Sequence, residues 1–370
     1  MVTGMNLSQL PTPCLLLERG ILIRNLATMR DAIARHPGVA LRPHMKTAKS
    51  VEVALLAGER CITVSTLAEA AHFAAHGFSD ILYAACVTPE KLAAVAPLNA
   101  AGAAVIVVTD DPGMAAKIAA EPAPPRTLIE IDCGEGRSGL APDDPTLLDI
   151  GARLGSSLAG VMTHAGHSYA GRSAADMRAI AEVERNAVVT AANRLRAAGM
   201  AAPIVSMGSS PTALHAAHLD GISEIRPGVY MFGDLFQAEI GTHSLDDIAV
   251  TVLASVIGRR PDRHGLVLDA GGLALSKDRS TEAAPKDYGF GLVLDTAGRR
   301  SFGDTIVRRA YQEHGVVACD PALPFPDVPI GGRVRIAPNH VCMTAAAYDR
   351  YYVLDGGDTV ADVWTRVNGW

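Results

Sequence analysis

Leu128-Ile129-Glu130-Ile131-Asp132-Cys133-Gly134-Glu135-Gly136-Arg137-Ser138-Gly139 is an apolar run that breaks abruptly into a glycine-rich turn. A short β-prone run closed by such a turn reads as a strand feeding a loop. The three closely spaced glycines let the backbone approach a ligand, and the Arg137 guanidinium has the fork geometry that meets a carboxylate. An ordinary strand-to-helix turn has the same composition, so the run decides the fold only through its repetition.

Seven further runs of the same kind flank it, at 39–42, 61–65, 81–84, 104–108, 158–163, 204–207 and 223–226. Amphipathic stretches at 21–35, 66–76, 89–98 and 174–198 lie between them. Strand–helix alternation sustained eight times predicts an α/β chain with a (β/α)8 barrel of the TIM type over residues 18–240, a doubly wound open sheet being the alternative. Beyond about residue 240 the texture changes. Strand-like runs at 248–257, 266–268, 316–319, 332–336 and 351–354 are separated by Gly, Pro and Asp, which predicts a mainly β domain over 241–370. The run at 14–17 reads as one more strand, joining residues 1–17 to that domain, and 280–286 (STEAAPK) reads as an exposed loop.

Composition narrows the class of function. The 370 residues are 49% hydrophobic and 19% charged, enough to bury a large core. A net charge of -6 without a dense Lys/Arg cluster argues against a nucleic-acid partner. No uncharged apolar run reaches the roughly 18–20 residues of a membrane helix, and the opening MVTGMNLSQLPTPCLLLERG lacks the pattern of a secretory signal, so a cytoplasmic protein is expected. Six scattered cysteines without a CxxC pair do not read as a disulfide framework.

Five further segments concentrate reactive groups. Arg42-Pro43-His44-Met45-Lys46-Thr47 follows the first strand, where a barrel places its active face, and a lysine there suits Schiff-base chemistry and proton transfer. A surface loop lysine has the same local pattern. Thr163-His164-Ala165-Gly166-His167-Ser168-Tyr169 follows the sixth strand and offers a base or a support for a cofactor ring; hydrogen-bonding loop residues are the alternative. Met207-Gly208-Ser209-Ser210-Pro211-Thr212 and Arg226-Pro227-Gly228-Val229-Tyr230 follow strands seven and eight, the loops with which barrels often bind phosphate. Pro338-Asn339-His340-Val341-Cys342, if extended, projects His340 and Cys342 to one face, and imidazole with thiolate favours Zn2+. A buried Cys beside a hydrogen-bonded His is the competing reading.

Together with Leu10-Pro11-Thr12-Pro13, Gln312-Glu313-His314-Gly315 and the tail Met343-Thr344 of the last motif, these segments resemble the family of D-serine dehydratases and D-threonine aldolases, of the alanine-racemase-like fold. The resemblance spans nearly the whole chain. It implies pyridoxal 5'-phosphate as cofactor, a homodimer, and Lys46 as the Schiff-base lysine. It places Arg137 and Tyr169 at the cofactor, Tyr169 near its pyridine nitrogen, with Gly208, Ser209, Ser210, Gly228 and Tyr230 at its phosphate. His164 and His167 are the candidate catalytic bases beside Lys46. His340 and Cys342 match the metal pair of the dehydratase branch, for Zn2+, or Mg2+ or Mn2+ if oxygens complete the site. The aldolase branch more often reads H-C-D there. One departure is Lys46-Thr47-Ala48-Lys49, where relatives commonly carry K-T-H-K; whatever that histidine does, Ala48 cannot do it. The implied activity is dehydration of a D-β-hydroxy amino acid such as D-threo-3-hydroxyaspartate, D-serine or D-threonine to a 2-oxo acid and ammonia. The alternatives are an aldolase giving glycine and an aldehyde or oxo acid, an amino-acid racemase, and a non-catalytic carrier of pyridoxal phosphate.

Overall fold

The structure is a computed structural model that describes residues 2–370. Its strands in chain order begin with β1 (Cys14–Glu18), β2 (Ala40–Leu41), β3 (Cys61–Val64), β4 (Asp80–Cys86) and β5 (Ala104–Thr109). They continue with β6 (Thr127–Ile131), β7 (Leu158–Thr163), β8 (Ile204–Met207) and β9 (Glu224–Ile225). Two compact units result: Thr28–Gly228 with Val367–Trp370, and the N-terminal residues up to Ala27 with Val229–Arg366.

In the first unit, β2 to β9 form one parallel sheet in the order β2-β9-β8-β7-β6-β5-β4-β3. A parallel bridge between His44 and Thr63 brings the β2 end back to β3, with Pro43 and Met45 exchanging backbone hydrogen bonds with Thr63 at 2.9 and 2.8 Å. The sheet is therefore a nearly closed eight-stranded barrel, as the alternation predicts. The strands read as unbroken apolar runs because both faces are covered, and every residue of β6 and β7 is buried. Side chains fill the barrel interior, Leu82, Ile106, Val108, Leu128, Ala159, Met162 and Ile204 forming one cluster. Gly160 in β7 sits against β8 so closely that a Cβ would lie 1.9 Å from the Ile204 carbonyl oxygen. The long helix Ala174–Ala197 packs outside this part of the barrel and carries an Asp near its start and two Arg near its end, in accord with the helix dipole. Among the described residues no helix is long and apolar enough to cross a membrane.

The second unit is a nine-stranded sheet. It comprises β1 with β10 (Val250–Arg260), β11 (Gly265–Leu268), β12 (Leu292–Leu294), β13 (Ile306–Ala310), β14 (Gly315–Ala318), β15 (Arg333–Ala337), β16 (Arg350–Leu354) and β17 (Val360–Thr365). The long β10 pairs with β15 and β1 along one part of its length and with β11 along another, which curls six strands into a ring. β1 lies between β10, antiparallel, and β16, parallel. Three strands have no counterpart in the sequence reading. β12 is only three residues long; β13 carries Arg308 and Arg309 side by side across a bulge, which breaks its alternation; β17 is half exposed.

Two sequence expectations are corrected here. The 280–286 segment is irregular but not simply exposed: Thr281 is fully buried, because its backbone N–H and hydroxyl bond the Asn339 side chain at 3.0 and 2.7 Å. Nor is the His340–Cys342 segment extended. β15 ends at Ala337, and after Pro338-Asn339 the chain turns into a short helix, Val341–Ala345, with His340 as its N-cap. Buried Asp234 draws the chain into that turn by accepting the Val341 N–H at 2.9 Å.

Candidate active site

A cavity of about 260 Å3 opens at the C-terminal ends of the barrel strands, with Lys46, His44, Arg137, His164, Gly208 and Arg226 among its lining residues. Each stands in a loop that follows a strand, as barrel geometry requires. Lys46 is solvent-exposed in a turn closed by the Lys49 N–H on the Met45 carbonyl at 2.7 Å. Lys49 in turn reaches buried Glu69 at 3.2 Å, and Glu69 accepts the hydroxyl of Ser65, a further lining residue, at 2.8 Å.

The wall is cationic and its histidines are neutral. Burial, then the positive charges of Lys46 and Arg137, push His164 down to about 3. Burial with Lys46 and Arg226 pushes His44 well below the ordinary imidazole range. The Gly208 carbonyl can only accept, so the 3.2 Å contact with His164 Nδ1 places the ring proton on Nδ1 and leaves Nε2 as the lone pair. Arg226 is buried and donates to the Ser206 hydroxyl and, at 2.5 Å, to the Thr163 carbonyl. Ser206 donates to Glu224 at 2.6 Å, and Glu224 accepts from Arg42 at 2.8 Å, so a chain of alternating charge runs beneath the cavity. Arg137 is held loosely, 3.7 Å from Glu130 and 3.6 Å from Glu135, with half its side chain in solvent. Its loop is shaped by Asp132, whose Oδ1 accepts the N–H groups of Gly134, Glu135 and Gly136 at 2.8, 2.9 and 3.1 Å. Cys86 donates toward Glu130 and Asp110, and burial followed by those carboxylates raises its thiol pKa far above the ordinary value. It is no nucleophile.

Other sequence-read residues stand elsewhere. His167 does not line the cavity; its ring lies over Gly134, and its Nδ1 is buried without a hydrogen bond. Tyr169 is outside the lining too, in the turn Gly166–Ala170, its carbonyl accepting from Arg172. Ser209 caps the helix Ser210–His215 and meets the Ser168 hydroxyl at 2.9 Å. Gly208 adopts φ +121°, and a Cβ there would lie 2.7 Å from Ile225. Its N–H is committed to Glu184, so it is not a spare donor for phosphate. Gly228 packs against the His44 backbone. Tyr230, buried, belongs to the other compact unit. Ala48 is fully buried.

In the second unit His340 Nδ1 lies 2.7 Å from Asp278 Oδ2, and His340 also hydrogen-bonds the Cys342 side chain. Burial opposes charge on this ring, but Asp278 and Cys342 overrule it and raise His340 to about 11. Its helix turn is anchored by Asn339, which is buried and bonds Thr281 and the Gly289 carbonyl. Sequence reading missed Asp278; a single Asp far away in the chain gave no signal.

The residues fit the implied groups. An exposed lysine beside two arginines and neutral imidazoles suits an aldehyde that carries anionic substituents, as pyridoxal phosphate does. A histidine oriented by a carboxylate, next to a thiol, is the donor set of a transition metal, with Asp278 as the orienting partner. Among the described residues no group of three or more His, Cys, Asp or Glu that could hold a metal ion is gathered.

Comparisons with known proteins agree with this geometry. Residues 19–235 match the alanine racemase N-terminal domain family, and residues 249–354 match the serine dehydratase domain family. The chain is 42% identical to D-threo-3-hydroxyaspartate dehydratase of Delftia sp. strain HT23, over 98% of each chain. That enzyme's solved structure superposes with a TM-score of 0.94 over 99% of this chain and 100% of that one. A cysteine-to-alanine mutant of it has been solved in the metal-free form. D-serine dehydratase of Dictyostelium discoideum is 30% identical over 99% of this chain and 98% of that one. 3-Hydroxy-D-aspartate aldolase of Paracoccus denitrificans is 28% identical over 99% of this chain and 95% of that one. With both halves matched and full-length likeness to its members, the chain belongs to the family of D-serine dehydratases and D-threonine aldolases of the alanine-racemase-like fold.

Proposed function

We propose that the chain is a lyase, a pyridoxal-phosphate- and divalent-metal-dependent dehydratase of D-β-hydroxy amino acids. D-threo-3-hydroxyaspartate is the first substrate to try, ahead of D-serine and D-threonine. In this reading the barrel of residues 18–240 holds the cofactor, the domain of residues 241–370 holds the metal through His340 and Cys342, and the working form is a homodimer. The observation that carries the reading is the contact of His340 with Cys342 under the hold of Asp278. Soft nitrogen and sulfur donors favour Zn2+, and a racemase or a cofactor carrier has no use for them.

Bound pyridoxal phosphate supplies an electron sink at the substrate Cα, and a bound metal supplies Lewis acidity at the β-hydroxyl. Lys46 would hold the cofactor, and its amine stands where it would take the substrate Cα proton. Arg137, loosely paired and half in solvent, is free to turn to the substrate carboxylate. His164 keeps its Nδ1–H on Gly208 and offers Nε2 as an acceptor without adding charge. Arg226 is spent on Ser206 and Thr163 and holds a fixed positive charge under the cavity. Tyr169, Ser209, Ser210, Gly228 and Tyr230 are the remaining cofactor contacts proposed, Gly208 giving close approach of its backbone and not its N–H, which Glu184 holds, with His167 as a further base. Loss of the β-hydroxyl as water gives an enamine, whose hydrolysis yields the 2-oxo acid and ammonia.

A product assay on D-threo-3-hydroxyaspartate, with metal-replete enzyme and again after EDTA, tests the proposal. Oxaloacetate and ammonia in equal amounts, lost on chelation and restored by Zn2+, is the expected result. Glycine and glyoxylate would overturn it for the aldolase reading, which the full-length likeness to the Paracoccus enzyme supports as second choice.

A further inference from the structure

Glu184 is fully buried in the middle of the helix Ala174–Ala197, outside the cavity lining and outside every motif the sequence singles out. Its Oε1 accepts two backbone N–H groups, from Ala165 at 2.9 Å and from Gly208 at 3.0 Å. Those groups belong to the two loops that follow β7 and β8. Gly208 carries the connection onward across its Cα, since its carbonyl accepts from His164 Nδ1 at 3.2 Å. A third link, the Ser168–Ser209 hydroxyl contact at 2.9 Å, ties the same two loops.

A carboxylate in this place is costly. Burial raises its pKa, against the pull of Thr212, the two N–H groups and the charge of Arg226. Packing alone would be met by an apolar side chain of similar volume. What an apolar side chain cannot do is accept from two loops at one point.

We infer that Glu184 is a positioning residue of the active site. It joins the His164 loop and the Gly208 loop into one body and, by fixing Gly208, holds His164 as the Nδ1–H tautomer. Gly208 is bound through both its N–H and its C=O, at a φ of +121° that favours glycine and where a Cβ would lie 2.7 Å from Ile225. The inference rests on the proposed function only in taking this cavity as the catalytic one.

The test is hydrogen exchange resolved to the Ala165 and Gly208 amides in cofactor-free protein, for wild type, Glu184→Gln and Glu184→Leu. Glu184→Leu should speed exchange at both amides by about tenfold or more, with barrel-strand amides unchanged. Glu184→Gln keeps an oxygen able to accept both N–H groups and should stay near wild type. If Glu184→Leu does not fold, Glu184→Asp, one methylene short of both loops, takes its place. Titration with pyridoxal phosphate, followed by absorbance, should show the same order of variants, weakest binding in the Leu variant. Wild-type exchange rates in the Leu or Asp variant, or a Gln variant as fast as they are, would overturn the inference. Wild-type protein that binds no pyridoxal phosphate would instead sink the proposed function and leave the exchange result standing.

Discussion

The barrel cavity and the Asp278–His340–Cys342 turn both present a histidine to chemistry, and they treat it in opposite ways. Among Lys46, Arg137 and Arg226, His164 is driven down to about 3; beside Asp278 and Cys342, His340 is driven up to about 11. Burial disfavours the charged ring in both places and is the largest cause at His164, where the cations add to it, whereas at His340 Asp278 and Cys342 outweigh it. A neutral imidazole among cations marks a place built for an anion. An imidazole among a carboxylate and a thiol marks a place built for a cation. One region is thereby suited to an anionic organic cofactor and the other to a metal ion.

Three substitutions would break or sharpen that division. Lys46→Ala should have the largest effect, lowering turnover of a D-β-hydroxy amino acid by at least about three orders of magnitude while metal content by elemental analysis stays unchanged. Loss of the metal in that variant would mean the two regions are not separate in function. Asp278→Asn comes next. It keeps the shape and removes the charge that orients His340, so metal affinity should fall about 10–100-fold, with pyridoxal-phosphate absorbance retained. An unchanged metal affinity would leave Asp278 an ordinary structural partner.

His164→Asn should have the smallest effect, and it is read in the cofactor-free protein. Because the folded-state pKa of His164 lies near 3 and the unfolded one near the ordinary 6.5, the unfolded chain takes the proton first as pH falls. Stability is therefore lost progressively from about pH 6.5 downward, up to about 2 kcal/mol between pH 7 and pH 5. Urea unfolding at the two pH values should show His164→Asn losing less than wild type by up to that amount. Equal losses would show that the ring is not held neutral.

The barrel was legible because its signal is local and repeated. A strand covered on both faces is an apolar run, and eight of them recur at helix-length spacing. Lys46, His164, Arg137 and Gly208 could be placed on the site because each directly follows such a run. His167 and Tyr169 follow the same strand, yet the turn Gly166–Ala170 carries them off the cavity lining, and strand position alone does not report a turn's direction. β12, β13 and β17 were missed because pairing partners across the sheet, not their own pattern, make them strands.

By itself the sequence determined the fold class, the family and the reactive residue types, since these follow from periodicity and from motifs contiguous in the chain. The tertiary structure alone decided who touches whom over long separations: Asp278 on His340, Glu184 on Ala165 and Gly208, Glu224 joined through Ser206 to Arg226. It also turned the His340–Cys342 segment from a strand into a helix cap, where the Val341 N–H donates to Asp234, more than a hundred residues away in the chain. The physical reason is that hydrogen bonds and charges act through a few ångströms of space, while sequence patterns record only neighbours along the chain.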